Sequence, residues 1–322
     1  MRLPDDLRLA VERELEASPA ASLAPAASRL SASYTACQFA GALASPEMRA
    51  AYLATRLPAT YAANFHVFSE LRRVAADFAP RTLLDLGAGP GTVAWAASEV
   101  FPSIEQIECV ERDASLVAIA KRLALDCGCS ALRSAVWTRA DLNSRIEAVP
   151  HDVVTICYTV GEFGGDAAQR LIDRAWALAT GVLVIVEPGT PKAFARMTGI
   201  RNALIAAGAH LVAPCPHHNE CPMAAAGDWC HFAQRVERTA VHRRLKQGAL
   251  GFEDEKFSYL IASRHPLGHA DARIVRHPAK NPGHVQLTLC TTDGLQKQSV
   301  GKSQRERYKA ARHSDWGDPW DQ

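Results

Sequence analysis

Apolar residues recur at helical spacing through the first 80 positions, and from Arg81 the pattern changes to short apolar runs separated by helical stretches. In the first region, Ser45-Pro46-Glu47 supplies an N-cap, a proline at the first helical position and an acid in the first turn. Pro58 predicts a break or a kink. Tyr61, Phe65, Phe68, Leu71 and Val74 then recur every three or four residues, which predicts a helix from Ala59 to Phe78. Residues 19–45, rich in Ala and Ser, read as a looser link or another helix.

RTLLDLGAGPG, from Arg81, predicts a buried strand and a glycine loop, with helix following to Val100. QIECVERD, SAVWTRAD, HDVVTICYTV and GVLVIVEPG predict four more strands. Helices are predicted over 113–126 and 165–179. This alternation predicts an α/β fold with a mostly parallel, Rossmann-like sheet covered on both faces. After Glu187 the alternation stops. A helix over Pro191–Gly208 leads to a Pro/His/Cys-rich loop at 214–230, and a basic helix is expected from His231 to Gln247. KFSYLIAS, ARIVRH and HVQLTLCTT look like strands, the last two forming a hairpin around Pro278, Asn281, Pro282 and Gly283. The expected organisation is a helical region over 1–80, an α/β domain over 81–208, a cysteine-bearing region with terminal strands over 209–294, and a basic tail over 295–322.

Composition sharpens this picture. At 322 residues and 48% hydrophobic, the chain can build a sizeable core, which excludes global disorder. It has no apolar run of membrane-spanning length, so no membrane partner is expected. The N-terminus is acidic by its fifth residue and lacks an apolar h-region, which predicts neither a secretory signal nor a transit peptide, and hence a cytoplasmic protein. The net charge of +2 hides a gradient: residues 1–190 carry 17 Lys+Arg against 22 Asp+Glu, while residues 191–322 carry 19 against 12 and ten of the twelve His. A basic back half suits an anionic partner such as RNA, or is simply a set of solvated faces.

Asp85-Leu-Gly87-Ala-Gly89-Pro-Gly91 lies between the first strand and its helix. Its acid-x-G-x-G-x-G spacing lacks the third glycine of a dinucleotide loop, which would fall at Thr92. It resembles the loop of class I S-adenosylmethionine-dependent methyltransferases, whose ligand carries an ammonium group that an acid can complement. Glu111 ends the second strand 20 residues after Gly91, where an acid can accept ribose hydroxyls. Asp141 follows the third strand, where that pattern meets an adenine amine. Tyr158 opens the turn after the fourth strand and is placed with the cofactor residues. That turn, Tyr158-Thr-Val-Gly-Glu162-Phe163, is not the N-P-P-Y-like turn of base-amine methyltransferases. Cys157 falls inside an apolar strand, as a core cysteine would. The sequence therefore identifies no catalytic base or nucleophile, and whether the protein is an enzyme stays open. The bland alternative is an α/β domain whose glycines only make tight turns.

Nine cysteines in a chain read as intracellular argue for thiols or metal ligands rather than disulfides. Cys215, Cys221 and Cys230 follow a C-x5-C-x8-C spacing, and Cys290 lies beside the expected hairpin. Four thiolates can hold zinc or an iron–sulfur cluster. The wide spacing favours the larger object, with His217, His218 and His231 as further ligands if the metal is zinc. Arg235, Arg238, His242 and Lys246 fall near one face of the expected helix, with Arg243 and Arg244 adjacent. Lys302, Arg305, Arg307 and Lys309 follow in the tail. These basic residues are the candidates for phosphate contact, against the alternative of a basic face in water.

Several further motifs make the chain similar to the mitochondrial small-ribosomal-subunit assembly factors of the methyltransferase-like group and their bacterial relatives. They are Arg56-Leu-Pro-Ala-Thr-Tyr61, Val186-Glu-Pro-Gly-Thr190, Asp228-Trp-Cys-His-Phe232, Glu253-Asp-Glu-Lys-Phe-Ser-Tyr259 and Trp316-Gly-Asp318. The resemblance implies a [4Fe–4S] cluster on Cys215, Cys221, Cys230 and Cys290, S-adenosylmethionine at the glycine loop, and binding to small-subunit rRNA. It implies either an rRNA methyltransferase or a non-catalytic assembly factor, with a small-molecule methyltransferase as a third reading. A bacterial cytosolic monomer is expected.

Overall fold

A computed structural model describes residues 1–322 except 17, 19, 36–42, 145, 240–241, 244–250 and 322. Four helices precede the sheet: α1 (Asp5–Glu16), α2 (Ala20–Thr35), α3 (Pro46–Thr55) and α4 (Leu57–Val74). Ser45 caps α3 by accepting from the Met48 amide at 3.2 Å. Pro58 stands in the first turn of α4, where its missing N–H leaves nothing unpaired, so it starts a helix rather than kinking one. Tyr61, Phe68 and Leu71 of the predicted stripe are buried in the core, and Phe65 and Val74 pack half-buried against it.

The alternating segment folds as predicted. β1 (Thr82–Leu86), α5 (Thr92–Val100), β2 (Gln106–Val110), α6 (Ala114–Ala124), the short α7 (Ser130–Arg133), β3 (Val136–Thr138), β4 (His151–Cys157), α8 (Gly165–Leu178), β5 (Ala179–Pro188) and α9 (Pro191–Ala206) follow in order. The five strands pair in parallel in the order β3-β2-β1-β4-β5. Val182 to Val186 are wholly buried, as a parallel strand covered on both faces requires. Beyond β5 the sheet continues with β8 (Phe252–Ser263), which is antiparallel, and then β6 (His210–Ala213). Parallel strands that reverse order between β1 and β4, with an antiparallel strand slipped in before the last, form the class I methyltransferase topology.

Two expectations fail in the back half. Residues 232–237 form strand β7 (Phe232–Glu237), not the start of a basic helix. β7 pairs antiparallel with the first half of β8, and Phe232 and Val236 face inward at strand spacing. The expected tail is also structured. β9 (Ala272–Ile274), β10 (Ala279–Asn281), β11 (His284–Thr291) and β12 (Gly294–Gly301) make a second antiparallel sheet, and α11 (Arg305–His313) packs on it. Val285, Leu287, Leu289, Val300, Ala311 and Trp320 form its core. The Asp293-Gly294 turn joins β11 to β12 and is a strong hairpin signal in its own right. Among the described residues no helix is long and apolar enough to cross a membrane.

One buried side chain ties these parts together. Arg273 on β9 is 1% exposed. It forms an ion pair with Glu70 of α4 at 2.6 Å and donates to the carbonyls of Pro214 at 3.1 Å and Gly317 at 2.9 Å. Burial opposes ionisation of Glu70, but Arg73 and Arg273 outweigh it and hold its carboxyl at about 2, below the ordinary 4.5. The stabilisation it gives is therefore complete above pH 4.5 and is lost as pH falls through about 2. Removing one partner of a buried pair strands the other charge, so Glu70→Ala is expected to cost about 3 kcal/mol or more in urea unfolding at pH 7. The loss relative to wild type should shrink towards pH 2.

Candidate functional site

The glycine loop opens at the carboxyl ends of β1, β2 and β4, beside the point where strand order reverses, the usual ligand crevice of open α/β sheets. Gly87 holds φ +81°, and a Cβ there would stand 2.5 Å from the Thr159 side chain, so only glycine fits. The loop bounds a cavity of about 280 Å³. Of the candidate cofactor residues, Gly87, Gly89, Glu111, Asp141 and Tyr158 line it. Gly91 instead caps α5 in the left-handed conformation. Asp85 lies beneath the loop, wholly buried, with one oxygen accepting from Thr155 Oγ1 at 2.7 Å and the other without a partner. Burial pushes its carboxyl up to about 7.

The Glu111 carboxylate accepts from the amides of Gly89 at 2.9 Å and Asp113 at 2.8 Å, which fixes the acid against the loop. Each oxygen keeps a second lone pair for a ligand hydroxyl. Asp141 is exposed at the rim, and one of its oxygens accepts from Asn143. Tyr158 directly follows β4 and holds φ +56°, an unfavourable conformation for a bulky residue. Its hydroxyl stands 3.3 Å from Glu255 of β8, and Glu255 is held by both terminal nitrogens of Arg56 at 2.9 and 2.7 Å. Glu162 pairs with Arg112 at 3.1 Å, and burial raises its pKa.

Sequence reasoning missed the wall supplied by the N-terminal helices. Tyr52, Thr60 and Asn64 also line the cavity, and the Asn64 Oδ1 is buried without a partner. Only the Arg56–Tyr61 motif pointed there.

The second site is the cysteine cavity. Cys215 follows β6, Cys221 starts the short helix α10 (Pro222–Ala225), Cys230 precedes β7, and Cys290 lies on β11. All four line one cavity of about 50 Å³. Burial pushes up the thiols of Cys215, Cys230 and Cys290, the last to about 12, and the neighbouring sulfurs add to the effect. Among the described residues no three His, Cys, Asp or Glu side chains stand close enough to hold one metal ion. His217 lines the cavity with Nε2 3.6 Å from the Cys290 sulfur. His218 instead accepts from the Leu211 amide, and His231 stacks on Trp229.

The basic candidates do not share a helical face. Arg235 pairs with Asp254 at 3.0 Å and Arg238 with Glu253 at 3.3 Å, each across the β7–β8 pair. His242 is fully buried and 3.4 Å from Glu253. Arg243 is exposed, while Arg244 and Lys246 lie outside the described residues. Lys302, Arg305 and Lys309 are exposed on and beside α11, and Arg307 is half-buried near the Trp320 ring.

The family model for the mitochondrial small ribosomal subunit protein Rsm22 matches residues 46–321, which takes in the glycine loop and all four cysteines of the second cavity. The chain belongs to the Rsm22 family. This Rsm22-family chain is 29% identical over 286 residues to the human ribosome assembly protein METTL17, mitochondrial, covering 83% of the chain and 61% of that relative. It is 26% identical over 327 residues to the Rsm22-cox11 tandem protein 2 of Schizosaccharomyces pombe, covering 83% and 42%. The chain thus spans less than two thirds of either relative. Among solved structures it is similar to the magnesium protoporphyrin IX methyltransferase of Synechocystis with bound SAH (13% identity, TM-score 0.42, covering 64% of this chain and 84% of that one). It is also similar to a precorrin-6y C5,15-methyltransferase of Geobacter metallireducens (16%, 0.38, covering 62% and 87%).

Asp85 gives a test of the buried geometry. Its raised pKa means that the folded state keeps a proton the unfolded chain releases, so stability falls as pH rises from 3.8 through about 7. Asn cannot ionise. Asp85→Asn is expected to gain stability relative to wild type between pH 5 and pH 8, by on the order of 2 kcal/mol, in urea unfolding at the two pH values.

Proposed function

We propose that this chain is a methyltransferase-like assembly factor of the small ribosomal subunit, holding S-adenosylmethionine at the glycine loop and a [4Fe–4S] cluster at the cysteine cavity. The observation that carries the reading is the convergence of four cysteines, Cys221 and Cys290 buried and Cys215 and Cys230 half-buried, from positions up to 75 apart, on one cavity. Burial pushes up the thiols of Cys215, Cys230 and Cys290, so a metal group must displace their protons and in return gains thiolate ligands. Four cysteines on one cavity, Cys215, Cys221, Cys230 and Cys290, are the ligand set of a polynuclear cluster, with zinc as the alternative that metal analysis decides. Bound there, the cluster would supply a covalent cross-link and one-electron chemistry.

At the other cavity, Glu111 would accept the ribose hydroxyls and Asp141 the adenine amine. Asp85 would sit beneath the ligand's ammonium as a buried counter-charge, with Gly87 and Gly89 letting the ligand lie against the backbone. The assembly role is supported by the name of the human relative. The exposed Lys302, Arg305 and Lys309, with Arg243, Arg244, Lys246 and the half-buried Arg307, are the proposed rRNA contacts. Arg235 and Arg238 would have to exchange a carboxylate for a phosphate.

Binding without methyl transfer is the favoured form of this reading. The tyrosine at the position of the missing catalytic turn is spent on Glu255, and Glu255 is spent on Arg56. The corresponding test is mass spectrometry of small-subunit rRNA from wild-type and deletion cells. An unchanged modification profile with accumulating precursors is expected. A methyl mark lost in the deletion and restored by purified protein would establish an enzyme instead.

Anaerobically purified protein is expected to hold about four irons and four sulfides per chain. One zinc and no iron would overturn the cluster. Glu111→Gln is expected to weaken S-adenosylmethionine binding in calorimetry by about tenfold or more, the value of a charge-assisted hydrogen bond.

A further inference from the structure

Arg201 of α9 lies on the wall of the cysteine cavity and is 4% exposed. Its Nε donates to the Cys215 sulfur at 3.4 Å. Its terminal nitrogens donate to the carbonyls of His217 at 2.9 Å and Asn219 at 2.8 Å and to Asn202 Oδ1 at 3.1 Å. All of these partners are neutral unless the sulfur is ionised. Among the described residues, no carboxylate pairs with this guanidinium. The contrast with Arg273 on the same wall is direct, because Arg273 is neutralised by Glu70. A buried cation without a counter-charge costs several kcal/mol, so the anion that balances Arg201 must be in the cavity.

We propose that Arg201 is the counter-ion of the metal-bound cysteines: it donates its Nε–H to the Cys215 sulfur, pins the loop at His217 and Asn219, and raises the reduction potential of the cluster. The proposal rests on the cluster reading above. A hydrogen bond to a ligand sulfur and a nearby positive charge both stabilise the reduced, more negative form. Arginine suits the role because its planar fork serves sulfur and backbone at once, which a lysine cannot do.

The test compares anaerobically purified full-length wild type, Arg201→Met and Arg201→Lys in dithionite titrations followed by electron paramagnetic resonance, with iron content and thermal melts in parallel. The expected result is an iron-loaded Arg201→Met with a lower midpoint potential than wild type, and Arg201→Lys between them. Full iron with an unchanged midpoint in Arg201→Met overturns the proposal. If Arg201→Met folds without iron while Arg201→Lys retains it, the counter-ion role is supported. If both fold and both lack iron, charge is not the deciding property and the proposal fails. Should neither variant fold, wild-type protein labelled with 15N-arginine decides. A spin-echo coupling between the reduced cluster and an arginine nitrogen supports the proposal, and its absence overturns it. A wild-type chain that binds no iron removes the cluster reading itself, which the iron assay shows before any variant is made.

Discussion

The back half of the molecule depends on where one guanidinium goes. Arg273 is buried on β9, and its partners come from the N-terminal helices, from the start of the cysteine loop and from the last turn of the chain. A charge in that position cannot be left unpaired, so the three segments are held to one geometry rather than merely packed. Apolar contacts alone would allow the second sheet to slide against α4. The Glu70 ion pair and the two carbonyls fix its position, and the wall of the cysteine cavity follows from that.

β8 links the two cavities. Glu255, near its start, holds Arg56 and the Tyr158 hydroxyl at the edge of the glycine-loop cavity. Three residues on, Ser258 donates to the Cys230 carbonyl at 2.8 Å, and Tyr259 lines the cysteine cavity. The Glu253–Tyr259 motif is therefore a short rigid bridge with one site at each end. Its residue choice follows from that position: Glu255 faces a cation, while Phe257 and Tyr259 are buried between the sheet and the N-terminal helices.

The parallel sheet was legible because β5 carries a continuous apolar run, β1 is apolar but for Thr82 and Asp85, and Gly87, Gly89 and Gly91, all at positive φ, punctuate the chain. Cys215, Cys221 and Cys230 stood out in the sequence because they crowd into one Pro- and His-rich loop outside the apolar strands, whereas Cys290 lies within the apolar β11. β7 was not legible. Phe232 and Val236 lie four apart with Gln234 and Arg235 between them, a spacing that suits a helix face, and only pairing with β8 makes it a strand. β12 was missed because it is polar on both faces over Gln296, Lys297, Gln298 and Ser299, although Asp293-Gly294 marked the turn before it. Asn64 and Tyr52 carry no local mark, because their place at the cavity comes from docking α3 and α4 on the sheet.

The order in which the cysteines occur along the chain has a consequence during synthesis. Three of them leave the ribosome by residue 230, but the fourth arrives only at residue 290, and Arg273 receives its last partner at Gly317. The α/β sheet around β1 to β5 can gather its own core well before then. The thiol-lined cavity cannot close until the segment through Gly317 is made, so three exposed cysteines wait through that interval in a form open to oxidation or to capture of stray metal.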